Sequence, residues 1–94
     1  MFTLDFDTTM SDLRGNELPE KMSDFVPDSL ANNQEAKPIK AYELAKRIAT
    51  KGKIEVDRED YDLIYASVEK DKRLSNLGKG QILLYMKEAL DGSK

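Results

Sequence analysis

Phe2, Leu4 and Phe6 alternate with Thr3, Asp5 and Asp7 at the start of the chain, a period of two that predicts a strand over 2–7 with one face buried. Further on, Gly15-Asn16 lies between the short segments Asp12-Leu13-Arg14 and Glu17-Leu18. Both residue types tolerate the positive φ of a tight turn, so a small hairpin or looped turn is expected there. Pro19 fits the first turn of a helix, and Met22, Phe25, Val26 and Leu30 follow at helical spacing. Pro27 interrupts them. An interior proline removes a backbone bond and clashes with the previous turn, so two short helical pieces or one kinked helix ending near Leu30 is expected. Residues 31–36 read as a polar connector.

The period then lengthens. Pro38 sits where a first helical turn accepts it, Ala41, Leu44, Ala45, Ile48 and Ala49 share one face, and Gly52 closes the segment. Ile54 and Val56 flank Glu55 in a brief extended link, after which Asp57 can cap a helix whose Tyr61, Ile64, Tyr65 and Val68 recur at i, i+3, i+4 and i+7. Beyond the charged turn Lys70-Asp71-Lys72-Arg73, Ser75 or Asn76 can cap a last helix carrying Leu77, Ile82, Leu83, Leu84, Tyr85, Met86, Ala89 and Leu90. Apolar residues cover most of its circumference, so it is expected to lie centrally, with Gly78 allowing a neighbouring helix to come close.

The pattern predicts an α+β fold, mostly helical, with an amino-terminal strand or hairpin packed on a three- to four-helix bundle. Ninety-four residues suffice for one small domain. Within it, 1–18 form the strand and hairpin region, 19–91 the helical region and 92–94 a frayed tail. There is no internal repeat or low-complexity tract.

Composition narrows the chemistry. The chain has no cysteine and no histidine, which removes disulfides, zinc fingers, Cys or His nucleophiles and the commonest transition-metal ligands. A domain this small also leaves little room for a deep substrate cavity. No enzymatic activity and no cofactor are expected. No apolar run approaches the roughly 18 residues of a membrane span, and Met1 is not followed by a basic and then an apolar region, so a cytoplasmic protein is expected.

The formal charge of −3 is unevenly spread. Residues 1–36 carry eight acids and two bases, whereas 37–94 carry thirteen bases and ten acids. The two parts could attract each other. Within 37–54, six basic side chains stand against one acid, and Lys37, Lys40, Arg47 and Lys51 fall along one edge of the predicted helix. Such an edge suits an acidic partner protein or a phosphate backbone. Lys and Arg beside an apolar stripe also commonly lay their stems over the core, and no aromatic stacking platform is interleaved with these four. A protein partner, or the acidic third of the same chain, therefore outweighs nucleic acid.

Other constellations fail on spacing. Glu55, Asp57, Glu59, Asp60 and Asp62 could attract a hard cation, but the calcium-loop pattern needs a glycine where Asp62 stands and a glutamate where Val68 stands. Gly78-Lys79-Gly80-Gln81 lacks the earlier glycine, the following Ser or Thr and the buried strand of a phosphate loop. The helices after Asp57 lack a polar reading helix for the major groove, because Leu83, Leu84 and Met86 would face water. Tyr61, Tyr65 and Tyr85 fall on apolar faces, as core aromatics do. Met10 and Met22 beside Phe25 read as core filler, or as a partner site if exposed.

Thr3-Leu4-Asp5-Phe6, Ser11-Asp12-Leu13-Arg14-Gly15-Asn16-Glu17-Leu18-Pro19, Lys53-Ile54-Glu55-Val56-Asp57 and the run Leu74 to Leu83 resemble small accessory proteins of tailed bacteriophages and prophages. The resemblance implies a bacterial cytoplasm and a non-enzymatic protein, an assembly factor or an inhibitor of a host system. It carries no catalytic or binding residue with it. The expected function is thus protein–protein interaction, with a nucleic-acid-binding regulator using Lys37, Lys40, Arg47 and Lys51 as the alternative. A homo-oligomeric structural component pairing through the edge of the first strand is a further one.

Overall fold

The computed structural model describes residues 1–92 and has the expected α+β architecture. In chain order it comprises β1 (Phe2–Asp5), β2 (Thr9–Ser11), β3 (Glu17–Lys21), a 3-10 turn (Met22–Asp24), α1 (Val26–Ala31), α2 (Pro38–Lys51), β4 (Lys53–Val56), α3 (Arg58–Lys70) and α4 (Asn76–Gly92). Gly92 ends α4, and the rest of the expected frayed tail, Ser93 and Lys94, lies outside the described residues.

The strands form two separate antiparallel pairs, β1 with β4 and β2 with β3. The brief link at Ile54 to Val56 is therefore a strand. Leu4 lies opposite Ile54 and Phe2 opposite Val56, so the alternating faces of both strands turn the same way into the core. The strand expected over 2–7 ends at Asp5. Phe6 still donates to the Gly52 carbonyl at 2.8 Å, but its own carbonyl accepts from Ser23, which carries the chain across to the second sheet.

The β2–β3 hairpin turns at Gly15, which has φ 87°. Pro19 lies inside β3 and does not open a helix. It is exposed on a two-stranded sheet, where a missing ladder donor is tolerated. Pro27 resolves the choice left by the sequence: it occupies the first turn of α1, so the 3-10 turn and α1 are two pieces that meet at Phe25.

Short as it is, α1 lies in the middle, packed against both α2 and α3. Val26, Ser29 and Leu30 are buried there, and Leu44, Ile48, Ile64 and Val68 close over them. The expected central position of the last helix is not observed. α4 packs on α3 and β1, only Ile82 and Met86 are fully buried, and Leu84 is 58% exposed. Gly78 approaches the hairpin and not a helix: a Cβ there would stand 3.7 Å from the Met10 methyl. Gln81 fixes this contact by donating to the Ser11 carbonyl at 2.6 Å and accepting its N–H at 2.8 Å.

Candidate functional site

The helix that carries the basic edge is α2. Pro38 sets its first turn, and Gly52 ends it with φ 71° while donating to the Ile48 carbonyl at 2.8 Å. Ala41, Leu44, Ala45 and Ile48 are buried. At 100° per residue, Ile39 and Tyr42 fall off this stripe, and they stand 75% and 64% exposed one turn apart. Lys46 completes the exposed strip, with its ammonium 6.0 Å from the centre of the Tyr42 ring.

The four basic residues singled out by the sequence divide into two kinds. Lys40 Nζ stands 2.7 Å from Asp60 Oδ1, and that carboxylate holds the Lys40 ammonium above the ordinary lysine pKa. The contact is an ion pair of poor hydrogen-bond alignment, since the buried Oδ1 receives no directed donor. Arg47 Nη2 donates to the Glu55 carbonyl at 3.3 Å, tying α2 to β4. Lys37 and Lys51 are exposed and make no ion pair or side-chain hydrogen bond among the described residues. Two of the four thus hold the fold together and two face solvent.

On the other flank of the strip, a cleft of about 270 Å³ opens between α2 and the α1–α2 connector. Ala31, Ala36, Ala41 and Ala45 line it with Tyr42, and Asn33 and Gln34 add polar groups to its wall. The arrangement can seat an apolar side chain in the cleft while cations on the far side of Ile39 meet acidic groups on the same ligand. Ile39 was not singled out in the sequence, and Tyr42 not as a contact residue, although both lie off the apolar stripe of their own helix, and that is a readable sign.

The remaining candidates serve the scaffold. The acidic run disperses: Asp57 caps α3 by accepting the Asp60 N–H at 2.8 Å, Asp60 faces Lys40, and Asp62 pairs with Arg58 at 3.0 Å. Lys79 donates to the Glu69 carbonyl at 2.9 Å, and Ser75 caps α4 by accepting the Gly78 N–H at 3.2 Å. Tyr61 stacks on Tyr65 and meets the Phe2 ring at a tilt of 54°, and burial raises its pKa. Met10 and Met22 are buried. Among the described residues, no helix is long and apolar enough to cross a membrane.

A larger polar cleft of about 550 Å³ lies between the α1–α2 connector and the α3–α4 turn. Several of its side chains satisfy one another. Ser29 donates to Asp71 at 2.7 Å, Arg73 grips both Asp71 oxygens at 3.1 Å, Asn33 donates to Ser67 at 2.9 Å, and Lys70 pairs with Glu35. Glu35 to Lys70 is the one ion pair, among the described residues, that joins the acidic first third to the rest. The acids of that third do not meet the basic edge of α2. No family model, no curated protein and no solved structure matches this chain.

Proposed function

We propose that this chain is a protein-interaction module which holds an acidic, apolar-bearing segment of a partner protein against α2. The observation that carries this reading is the exposure of Ile39 and Tyr42, one turn apart, on the stretch of chain where bases outnumber acids six to one. Aromatic and large aliphatic side chains presented beside a cleft are the usual anchors of such contacts, and flanking cations set the sign of the partner. The resemblance to phage and prophage accessory proteins supports a setting in the bacterial cytoplasm, with a phage or host protein as the partner. Nucleic acid is the weaker reading, because Lys40 and Arg47 are already engaged within the chain.

Paired affinity capture from phage-infected bacterial lysate tests this. The wild type and an Ile39→Asp/Tyr42→Asp variant serve as baits at moderate salt, with circular dichroism confirming that both are folded. A protein retained by the wild type and lost from the variant is the expected result. A protein retained equally by both moves the interface off α2 and overturns the reading. Nucleic acid held only at low salt would favour the alternative.

A further inference from the structure

The segment from Asn32 to Lys37 joins two helices and buries nothing of its own. Leu30 before it is fully buried and Ala41 after it nearly so, whereas no residue of 32–37 belongs to the core. Both ends of the segment are fixed. Asn32 bonds back to the Asp28 carbonyl through its N–H at 3.0 Å and its side-chain amide at 2.8 Å, and the Lys37 carbonyl accepts the Ala41 N–H at 3.0 Å where α2 begins.

Between those ends, two polar side-chain contacts among the described residues tie the segment down, and both are to α3. The Asn33 side-chain amide donates to Ser67 Oγ at 2.9 Å, and Glu35 pairs with Lys70 one turn farther along that helix. Their footing differs. Ser67 is buried and fixed by its own bond to the Leu63 carbonyl at 2.8 Å, whereas Glu35 and Lys70 stand in solvent, where such a pair holds weakly. Asn33 also centres the turn within the segment, since its Oδ1 accepts the Glu35 N–H at 3.1 Å and its carbonyl accepts the Ala36 N–H at 3.1 Å. Tether and turn share one residue, so loss of the Ser67 contact loosens both. Such a segment, with exposed backbone bonds and no buried side chain, opens at a lower free energy than the core around it.

The same segment is a wall with a cleft on each side. Asn33 and Gln34 line both the cleft beside Tyr42 and the polar cleft that Asp71 and Arg73 border. We infer that residues 32–37 form a strap that releases from α3 as a unit while the helices stay folded, and that its release widens the cleft beside Tyr42 into the polar one. This goes beyond the binding role proposed for α2 and does not depend on it. The strap sets how much room stands beside Tyr42, whatever occupies that place.

Amide hydrogen exchange of the whole protein, followed residue by residue by NMR, gives the test. In the wild type, the Glu35 and Ala36 N–H groups are expected to exchange more slowly than in an unfolded chain and faster than those of Ile48 and Ile64, which report the core. Ser67→Ala removes the acceptor for Asn33 and is expected to speed Glu35 and Ala36 about two- to tenfold. Lys70→Gln is expected to speed them by about fivefold at most. Ile48 and Ile64 are expected to change less than the strap in both variants. The tyrosine ring signals are read in the Ser67→Ala/Lys70→Gln double variant, where Tyr42 is expected to shift and Tyr61 and Tyr85 to stay.

Exchange of Glu35 and Ala36 at the rate of an unfolded chain would overturn the strap, because nothing then holds it. Exchange only in step with Ile48 and Ile64, or unchanged rates in Ser67→Ala, would overturn it too, because the segment then does not open alone or is not held by α3. An unmoved Tyr42 signal in a double variant whose strap has loosened would overturn the widening of the cleft. Capture of a partner is read separately, through Ile39→Asp/Tyr42→Asp, so neither result decides the other.

Discussion

The phenol oxygen of Tyr85 accepts the backbone N–H of Asp5 at 2.7 Å, joining α4 to the outer edge of β1 across 80 residues of chain. The Tyr85 ring also stands edge-on to Phe6, centroids 6.1 Å apart. Tyr85→Phe keeps the ring and removes the acceptor, and is expected to cost about 0.5–1.5 kcal/mol in urea unfolding. Tyr85→Ala removes both and costs more. Equal stability of Tyr85→Phe and wild type would mean that water serves the Asp5 N–H as well. The bond also bears on the first strand as a pairing edge, since one of its outward donors is already engaged.

Gly52 and Gly15 both have positive φ, but their surroundings differ. A Cβ on Gly52 would stand 2.9 Å from the Asp7 Cβ, whereas one on Gly15 meets nothing within 4 Å. Gly15→Ala is expected to cost about 1 kcal/mol, the left-handed penalty alone. Gly52→Ala adds a backbone shift to that penalty and is expected to cost clearly more, with chemical denaturation of the two variants side by side as the check.

Arg73 beside Asp71, helped by the Ser29 hydroxyl, lowers the Asp71 pKa from 3.8 to about 2. The folded value lies below the unfolded one, so the stabilisation is full above pH 3.8 and is lost as the pH falls toward 2. Its size is about 2 kcal/mol. Asp71→Asn should unfold more readily at neutral pH and show a flatter acid limb between those values. An acid limb identical to that of the wild type would place the sensitivity elsewhere.

Lys40 and Lys51 look alike in sequence and differ in use. Asp60 is 6% exposed, and Lys40 is the cation beside it. Lys40→Ala is expected to lower the melting temperature by leaving a buried carboxylate without its counterion. Lys51→Ala is expected to leave the melting temperature unchanged and to weaken only the capture of an acidic partner. A reversal of these two results would reassign the basic edge.

What was legible in the sequence was local. α2 and α3 carry their own start and stop signals: Pro38 and Gly52 for one, and Asp57 with the Tyr61 to Val68 stripe for the other. β4 has four residues, and its Ile54-Glu55-Val56 alternation reads by itself only as a brief extended link. It is a strand because β1, about fifty residues away, lies beside it, and no window along the chain contains that fact. Pro19 was ambiguous for a physical reason, since the missing N–H is harmless both in a first helical turn and in an exposed strand of a two-stranded sheet. α4 misled through its leucines: apolar residues all round suggested burial on every side, yet Leu84 faces water.

The same limit applies to the site. Charge counts located the α2 edge but could not separate Lys40 and Arg47, which have partners on α3 and β4, from Lys37 and Lys51, which do not. Ile39 and Tyr42 were written plainly off the stripe. Their exposure became a finding only once the faces around them were closed.

The bond from Asp5 to Tyr85 also sets an order of events during synthesis. The first strand emerges early, but the helix that covers its edge is made 80 residues later. At the usual pace of translation that interval is roughly 4 to 16 s. Throughout it, Leu4 and Phe6, both fully buried at the end, have no complete core to enter. Through that interval the nascent chain carries an apolar strand without the helix that covers its edge, and α4 acts as the latch.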